Sequence, residues 1–355
     1  MAELYGKTWT RRELEARVGR IEQVAGARRL RLTEGAEAGV DVVRVRTGGG
    51  LSYDVVPSKG MDVSLVEFGG APLSWQSPNG DVAPALFSAD GADWLRTASG
   101  GLLMTCGLSS VGTPGTFEGR AYGLHGRSHH TPARDVCISS AWEDDEYVMR
   151  VTGVVEETEI FGSCLRLRRE IVSTLGSARL TLRDTVENVG FASAPHMMLY
   201  HWNFGFPLLT EATRVRLPSR RAVPRDAGVP VDGYDSWTAP QAGFAEQVYY
   251  HDVVADADGF AEAEVRQPAF PLAGGAAAAP VVARLRWRTD TLPELVQWRM
   301  LGAGAHALGL EPANCRVEGL AAEAARGTLR RLEPGETVEY ALEFSVAVER
   351  EAEER

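Results

Sequence analysis

A period of two runs through most of this chain and sets the strongest limit on its fold. VDVVRVRTG (40–48), LSYDVVPSKGMDVSLVEFGG (51–70), EYVMRVTGVVEET (146–158), CLRLRREIVST (164–174), RLTLRDTVENVG (179–190) and VARLRWRTD (282–290) alternate apolar with polar residues or run β-branched. Gly, Pro, Asp or Asn separates them. Successive side chains of a strand point to opposite faces, so such segments read as half-buried strands joined by turns. In RLTLRDTVENVG, Leu180, Leu182, Thr185 and Val186 interleave with Arg179, Arg183, Asp184 and Glu187, and Asn188 and Gly190 supply the turn. One helix is predicted, over residues 10–19, with Thr10 as N-cap, Glu13 as its capping-box partner and Gly19 as the stop. Strands do not alternate with long helices, which argues against a parallel βαβ sheet. The expected fold is all-β, a large antiparallel β-sandwich with a short N-terminal helix.

The 355 residues could make two domains, but large all-β folds of this length form one unit, so a single domain over 1–355 is expected. PLAGGAAAAP (271–280) reads as a surface loop between strands, and the charged end VEREAEER (348–355) as a frayed tail. A 44% hydrophobic, 24% charged composition is globular. No apolar run reaches about 18 residues and no leader pattern opens the chain, so a soluble cytoplasmic protein without a membrane partner is expected. The net charge of -11 argues against nucleic acid, whose phosphates call for a basic face. Cys106, Cys137, Cys164 and Cys315 have no C-x-x-C spacing and read as isolated reduced thiols. A homodimer is among the assemblies the sequence allows.

Three segments set titratable groups among apolar ones: GLHGRSHHTPA (123–133), PHMMLYHWNFGFPLL (195–209) and QWRMLGAGAHALGLEPANC (297–315). His201, between Tyr200 and Trp202, is placed for burial, which disfavours its charged form. Glu311, in an apolar strand-like run before Pro312, must be either a satisfied buried carboxylate or a working one. His196 and His306 fit hydrogen-bonded core histidines. Together His125, His201 and Glu311 supply a hydrogen-bonding electrophile, a general acid and a general base.

LHG, YHWNFGFPLL and GLEP, in this order, resemble the three motif regions of the aldose 1-epimerase (galactose mutarotase) superfamily. HGRSHHTPA, QWRMLGAG and GLEPAN are closer to a branch distinct from the well-studied mutarotases. The likeness runs from PSKGMD to EYALEFSV. It implies an antiparallel supersandwich whose cleft holds a sugar, with His201 as general acid, Glu311 as general base and His125 bonded to the ring oxygen or hydroxyls. Lys59 stands where a basic residue contacts substrate. Opening a cyclic hemiacetal needs an acid and a base but no metal or redox cofactor, so none is expected.

The match has gaps. The mutarotases carry NHxYFN around the acid histidine where this chain has YHWNFGFP, and the counterpart of their substrate-binding aspartate is set at Asp252. Trp75, Trp202 and Trp298 are flat faces suited to sugar C–H surfaces or to core packing, and Gln297 is a candidate for a hydroxyl. Arg127 and His129 either select a sugar acid or phosphate or are turn residues facing solvent. Two other functions fit the same residues: a metal-assisted sugar isomerase or carbon epimerase using His125, His201, Glu311 and His251 as ligands, and a non-catalytic sugar-binding protein.

Overall fold

The computed structural model describes residues 1–272 and 278–349. Two large antiparallel sheets carry the chain. The first has eight strands, in the order Arg134–Glu143, Glu146–Thr158, Cys164–Thr174, Arg179–Asn188, Thr337–Val348, Ala279–Arg288, Phe260–Phe270 and Arg214–Arg216. The predicted segments 146–158 and 164–174 coincide with two of these strands. Leu167 pairs with Val186 and Ile171 with Leu182, so each strand turns its apolar row to one face. Arg169 and Asp184 also pair on that inward row, which places an ion pair where the alternation would put apolar residues.

The second sheet has eleven strands. Five matter here: β1 (Leu103–Leu108), β2 (Met197–Phe204), β3 (Gln247–Val253), β4 (Glu294–Gly302) and β5 (Ala305–Ala313). They lie side by side in the order β3, β4, β5, β2, β1, with Asp62–Phe68 following β1. Every residue of β2 is buried. One of its faces meets the first sheet, where Trp202 stacks on Phe344 with ring centroids 5.8 Å apart. The other face forms the floor of the cavity described below. A contiguous core from both sheets fills the interior, making a β-sandwich as expected.

The predicted helix is α1 (Arg11–Glu15), shorter than expected. Thr10 and Glu13 form the capping box, but the chain leaves the helix at Ala16, before Gly19. The sequence reading gave no helix at α2 (Leu320–Arg326), which ends on Gly327 in the left-handed region at φ 73. No described helix is long and apolar enough to cross a membrane. Cys106 and Cys315 are buried, Cys164 is half-buried and Cys137 is exposed. Residues 273–277 of the expected loop and 350–355 of the expected tail lie outside the described residues.

Candidate active site

Strand register brings the two titratable strand residues together. Leu199 pairs with Ala313 and Trp202 with Leu310, which sets His201 of β2 across from Glu311 of β5. Their side chains meet, with Nε2 and Oε1 3.2 Å apart. Along the same row Val296 of β4 lies opposite Glu311, and Met104 of β1 lies opposite His201. The dyad therefore sits in an apolar floor. Gly309, two residues before Glu311, keeps space for it: a Cβ there would lie 2.8 Å from Glu311 Oε1 and 2.9 Å from His201 Cε1.

His125 comes from the loop after β1. Its backbone is left-handed, at φ 55, a conformation that costs a non-glycine residue on the order of 1–3 kcal/mol unless its surroundings enforce it. They do: His125 N donates to Gly112 O, Gly107 N donates to His125 O, and Leu124 N donates to Gly91 O. Gly126 lets the loop lie against β1, since a Cβ there would fall 2.5 Å from Gly107 O. The ring of His125 is held 6.3 Å from that of His201 and 5.0 Å from Trp94.

These groups open onto a cavity of ≈ 390 Å³, within the roughly 300–1,000 Å³ range of small-molecule sites. Trp75, Trp94 and Trp298 wall it, with Leu95, Val248 and Val296 between them. Trp298 packs edge-on against both Trp75 (5.6 Å) and His201 (5.7 Å). Two charged residues that sequence reasoning missed, Arg225 and Glu246, line it as well. Glu246 Oε1 accepts from Arg225 Nη2 at 2.9 Å, and its Oε2 accepts from the Trp298 indole at 3.0 Å.

Of the candidates named from the sequence, His125, His201, Glu311, Trp75 and Trp298 line this cavity; Lys59, Arg127, Trp202, Gln297 and Asp252 do not. Lys59 is fully buried, and its ammonium donates to Val82 O and Thr97 O, bracing the loop that carries Asn79, Trp94 and Leu95 rather than facing a ligand. Arg127 is exposed and lines a different cavity behind the His125 loop. Trp202 and Gln297 each sit one residue out of phase: Trp202 enters the core, and Gln297 contacts His251 and Tyr234 O on the face away from Trp298. Asp252 is exposed and shares the strand parity of Val248, but lies beyond the cavity's end; Glu246, on the same parity, lies within it. The period-two pattern of EQVYYHD is the signal that could have found Glu246.

His129 is buried, with Nδ1 2.7 Å from Asp62 Oδ2 and Nε2 3.1 Å from Ser99 Oγ. His130 bonds Thr97 Oγ1 and stacks on Phe87. His196 joins Leu108 O to the Tyr340 hydroxyl, as a core histidine does, and the more exposed His306 bonds Thr238 O. Among the described residues, no group of three His, Cys, Asp or Glu side chains is arranged to hold a metal ion.

Burial governs the ionisation of the site. It pulls His201 down to about 3, with His125 adding to the effect, and His125 down to about 4. It pushes Glu311 well above the usual carboxylate range; Glu246 adds to that shift and Arg225 opposes it. Burial thus favours the uncharged form of both groups, a protonated carboxyl and a neutral imidazole. Passing the carboxyl proton to His201 gives a carboxylate and an imidazolium with no change in total charge.

A family model described as Domain of unknown function (DUF4432) matches residues 37–346. No curated protein matches the chain. Among solved structures, an aldose 1-epimerase candidate from Klebsiella pneumoniae subsp. pneumoniae MGH 78578 is 24% identical, with TM-score 0.79 over 96% of this chain and 91% of its own. A galactose mutarotase-like protein from Clostridium acetobutylicum is 13% identical, with TM-score 0.60 over 92% of this chain and 100% of its own. The galactose 1-epimerase from Lactobacillus acidophilus NCFM is 10% identical, with TM-score 0.56 over 92% and 100%. At these identities the likeness concerns the fold, and it is the galactose mutarotase-like sandwich that the motif order implied.

Proposed function

Because this chain belongs to the family described as Domain of unknown function (DUF4432) and has a galactose mutarotase-like fold, we propose that it is a carbohydrate-active epimerase that interconverts the anomers of a sugar. The observation that carries this reading is the His201–Glu311 pair, 3.2 Å apart in the floor of a tryptophan-walled cavity with His125 beside it.

The chemistry follows from the proton the dyad shares. With that proton on His201, Glu311 is a carboxylate that removes the anomeric hydroxyl proton, while the imidazolium protonates the ring oxygen. The C1–O5 bond breaks and its electrons go to O5, leaving an open-chain aldehyde. Rotation about C1–C2 turns the other carbonyl face to the O5 hydroxyl. Reclosure forms the C1–O5 bond on that face, returns a proton to O1 from Glu311 and one from O5 to His201, and yields the other anomer. His125, uncharged, offers a hydrogen bond to the ring or a hydroxyl, and Trp75 and Trp298 give the C–H face of the sugar a surface to pack on. Positioned acid–base groups of this kind contribute about 10²–10⁴-fold each.

Proton NMR exchange spectroscopy on freshly dissolved sugars tests the reading. Wild type accelerates anomer exchange, and Glu311→Gln lowers the rate by about 10²–10⁴-fold while the protein stays folded. Unchanged exchange in Glu311→Gln would overturn it, and so would binding without turnover in both proteins.

A further inference from the structure

Arg225 is the one Lys or Arg among the described residues that lines the cavity, and its charge is already answered. Its Nη2 donates to Glu246 Oε1 at 2.9 Å and to Asp226 Oδ2 at 2.7 Å, and its Nε reaches the same Asp226 oxygen at 3.0 Å. Two carboxylates thus surround one guanidinium. The other cations considered for this site are elsewhere: Lys59 is sealed against backbone carbonyls, and Arg127 faces the cavity behind the loop. Neither His125 nor His201 replaces them near neutrality, since burial keeps both uncharged.

We propose that Glu246 and Asp226 mask Arg225 and thereby make the cavity select uncharged sugars over sugar phosphates and sugar acids. This specificity rests on the anomerisation reading above. A phosphate or carboxylate is recognised through a cation with free charge and free N–H groups. Here an anionic substituent would meet Glu246 as well as Arg225, and juxtaposed like charges are a common means of rejecting the wrong partner. The net charge of -11 acts in the same direction at longer range. The side chains of Glu246 and Asp226 are each 49% exposed, so the discrimination is screened by salt.

Glu246 has a second task that can be separated from the first. Its Oε2 accepts from the Trp298 indole. A glutamine at 246 has a similar shape and can keep its one oxygen on the indole, while it removes the charge and the acceptor that faces Arg225.

The experiment compares anomer exchange of D-glucose and D-galactose with that of D-glucose 6-phosphate and D-glucuronate, in wild type, Glu246→Gln and Asp226→Asn. Indole fluorescence titrations with the same four compounds run beside it. Wild type is expected to favour the neutral sugars. The anionic-to-neutral ratio of kcat/KM should rise about tenfold in Glu246→Gln and by less in Asp226→Asn. High salt should narrow the preference in wild type. The masking idea fails if wild type turns over glucose 6-phosphate as well as glucose, or if neither variant moves the ratio. If wild type turns over none of the four, the anomerisation reading is the one that fails, and the titrations then decide masking alone. Tighter binding of the anionic sugars to Glu246→Gln than to wild type supports it; equal binding, or none, overturns it.

Discussion

Two buried histidine–carboxylate pairs lie in this protein, and their surroundings are opposite. In the interior, His129 meets Asp62 at 2.7 Å, and each is held from several sides. His129 also bonds Ser99, while Asp62 accepts from Thr105 N, Thr105 Oγ1 and Arg169 Nη1. Arg169 continues to Asp184, which accepts from Tyr200. In the cavity floor, His201 meets Glu311 at 3.2 Å, its Nδ1 has no partner, and Glu311 has no other polar contact among the described residues. A saturated buried network ties two sheets together and leaves no group free to react. A sparse one keeps lone pairs and a proton available to whatever enters the cavity. Coordination by the surrounding protein, more than burial or residue type, separates the structural pair from the one proposed to carry the chemistry.

The contrast breaks most directly at Arg169, the cation of the interior network. Arg169→Met strands Asp62 and Asp184 as buried carboxylates without their countercharge. Removing one partner of such a pair costs about 3–5 kcal/mol. The urea midpoint should fall accordingly, and adding Asp62→Asn and Asp184→Asn to the same protein should restore part of the loss. A single-variant loss below about 1 kcal/mol, the range of exposed ion pairs, would show that the interior network is no more structural than the dyad.

The pH dependence sharpens the comparison, because stability and activity should part company. His125, His196 and His251 are lowered to about 4 and His201 to about 3, and His129 and His130 are lowered as well, all chiefly by burial. Below pH ~6.5 the unfolded chain takes up protons that these folded histidines refuse, so each removes up to about 1.4 kcal/mol of stability per pH unit. Glu311 works the other way: its raised value means the folded state keeps a proton that the unfolded chain releases above pH ~4.3. Burial raises Asp62 and Asp81 as well, but six depressed groups outweigh these three, and Tm should fall from about pH 7 to pH 5. Activity per folded molecule should stay level over that window, since the dyad keeps its single proton, and should decline on the alkaline side as Glu311 loses it. Parallel thermal melts and anomer-exchange rates check this. A rate that titrates near pH 6.5, the ordinary histidine value, would mean that His201 is not shielded as the cavity floor implies.

How much of this was legible beforehand depended on which physical variable decided each residue. The strands were readable because period-two alternation is a local property, and 164–174 and 179–188 emerged with their ends nearly as marked. His201, His125, Glu311, Trp75 and Trp298, which meet in one cavity, were marked beforehand because polar or aromatic groups stood out in apolar or turn-rich segments. Which face of β2 looks into the cavity was not readable, since all eight of its residues are buried and both parities look alike. That is why Trp202 was expected beside the ligand and lies in the core instead. Gln297 lies on the buried parity of β4, opposite to that of the half-buried Glu294, Trp298 and Met300, and no local pattern in QWRML records that difference. Asp252 was right in parity but wrong in reach, a distance set by how far β3 runs past β4. Lys59 and Arg127 lie in turns, where direction depends on which carbonyls happen to be near, and no local pattern records that. α2 was legible and was missed: LAAEAAR is built of strong helix formers and Gly327 follows as the stop.

Gly309 offers the finest cut between a residue that holds the fold and one that holds the chemistry. It lies in β5 between His201, Glu311 and Trp298, and a Cβ there would come within 2.9 Å of each. Glu311 Oε1 is the free end of a side chain and can move aside, opening the 3.2 Å gap to His201, whereas Trp298 Cβ is fixed to β4, so the paired strand must shift as well. Alanine in place of glycine also restricts the unfolded chain, which offsets part of the crowding. The expected outcome of Gly309→Ala is a moderate fall in melting temperature together with kcat lowered about tenfold, since misplacement by a fraction of an ångström already erodes an acid–base geometry. Gly115→Ala, where a Cβ meets nothing within 4 Å, is the matched control and should change neither quantity. If Gly309→Ala instead lowers stability and leaves the rate untouched, the cavity floor is packed as firmly as the interior network. Its openness to chemistry would then have to come from His125 and the loop that carries it.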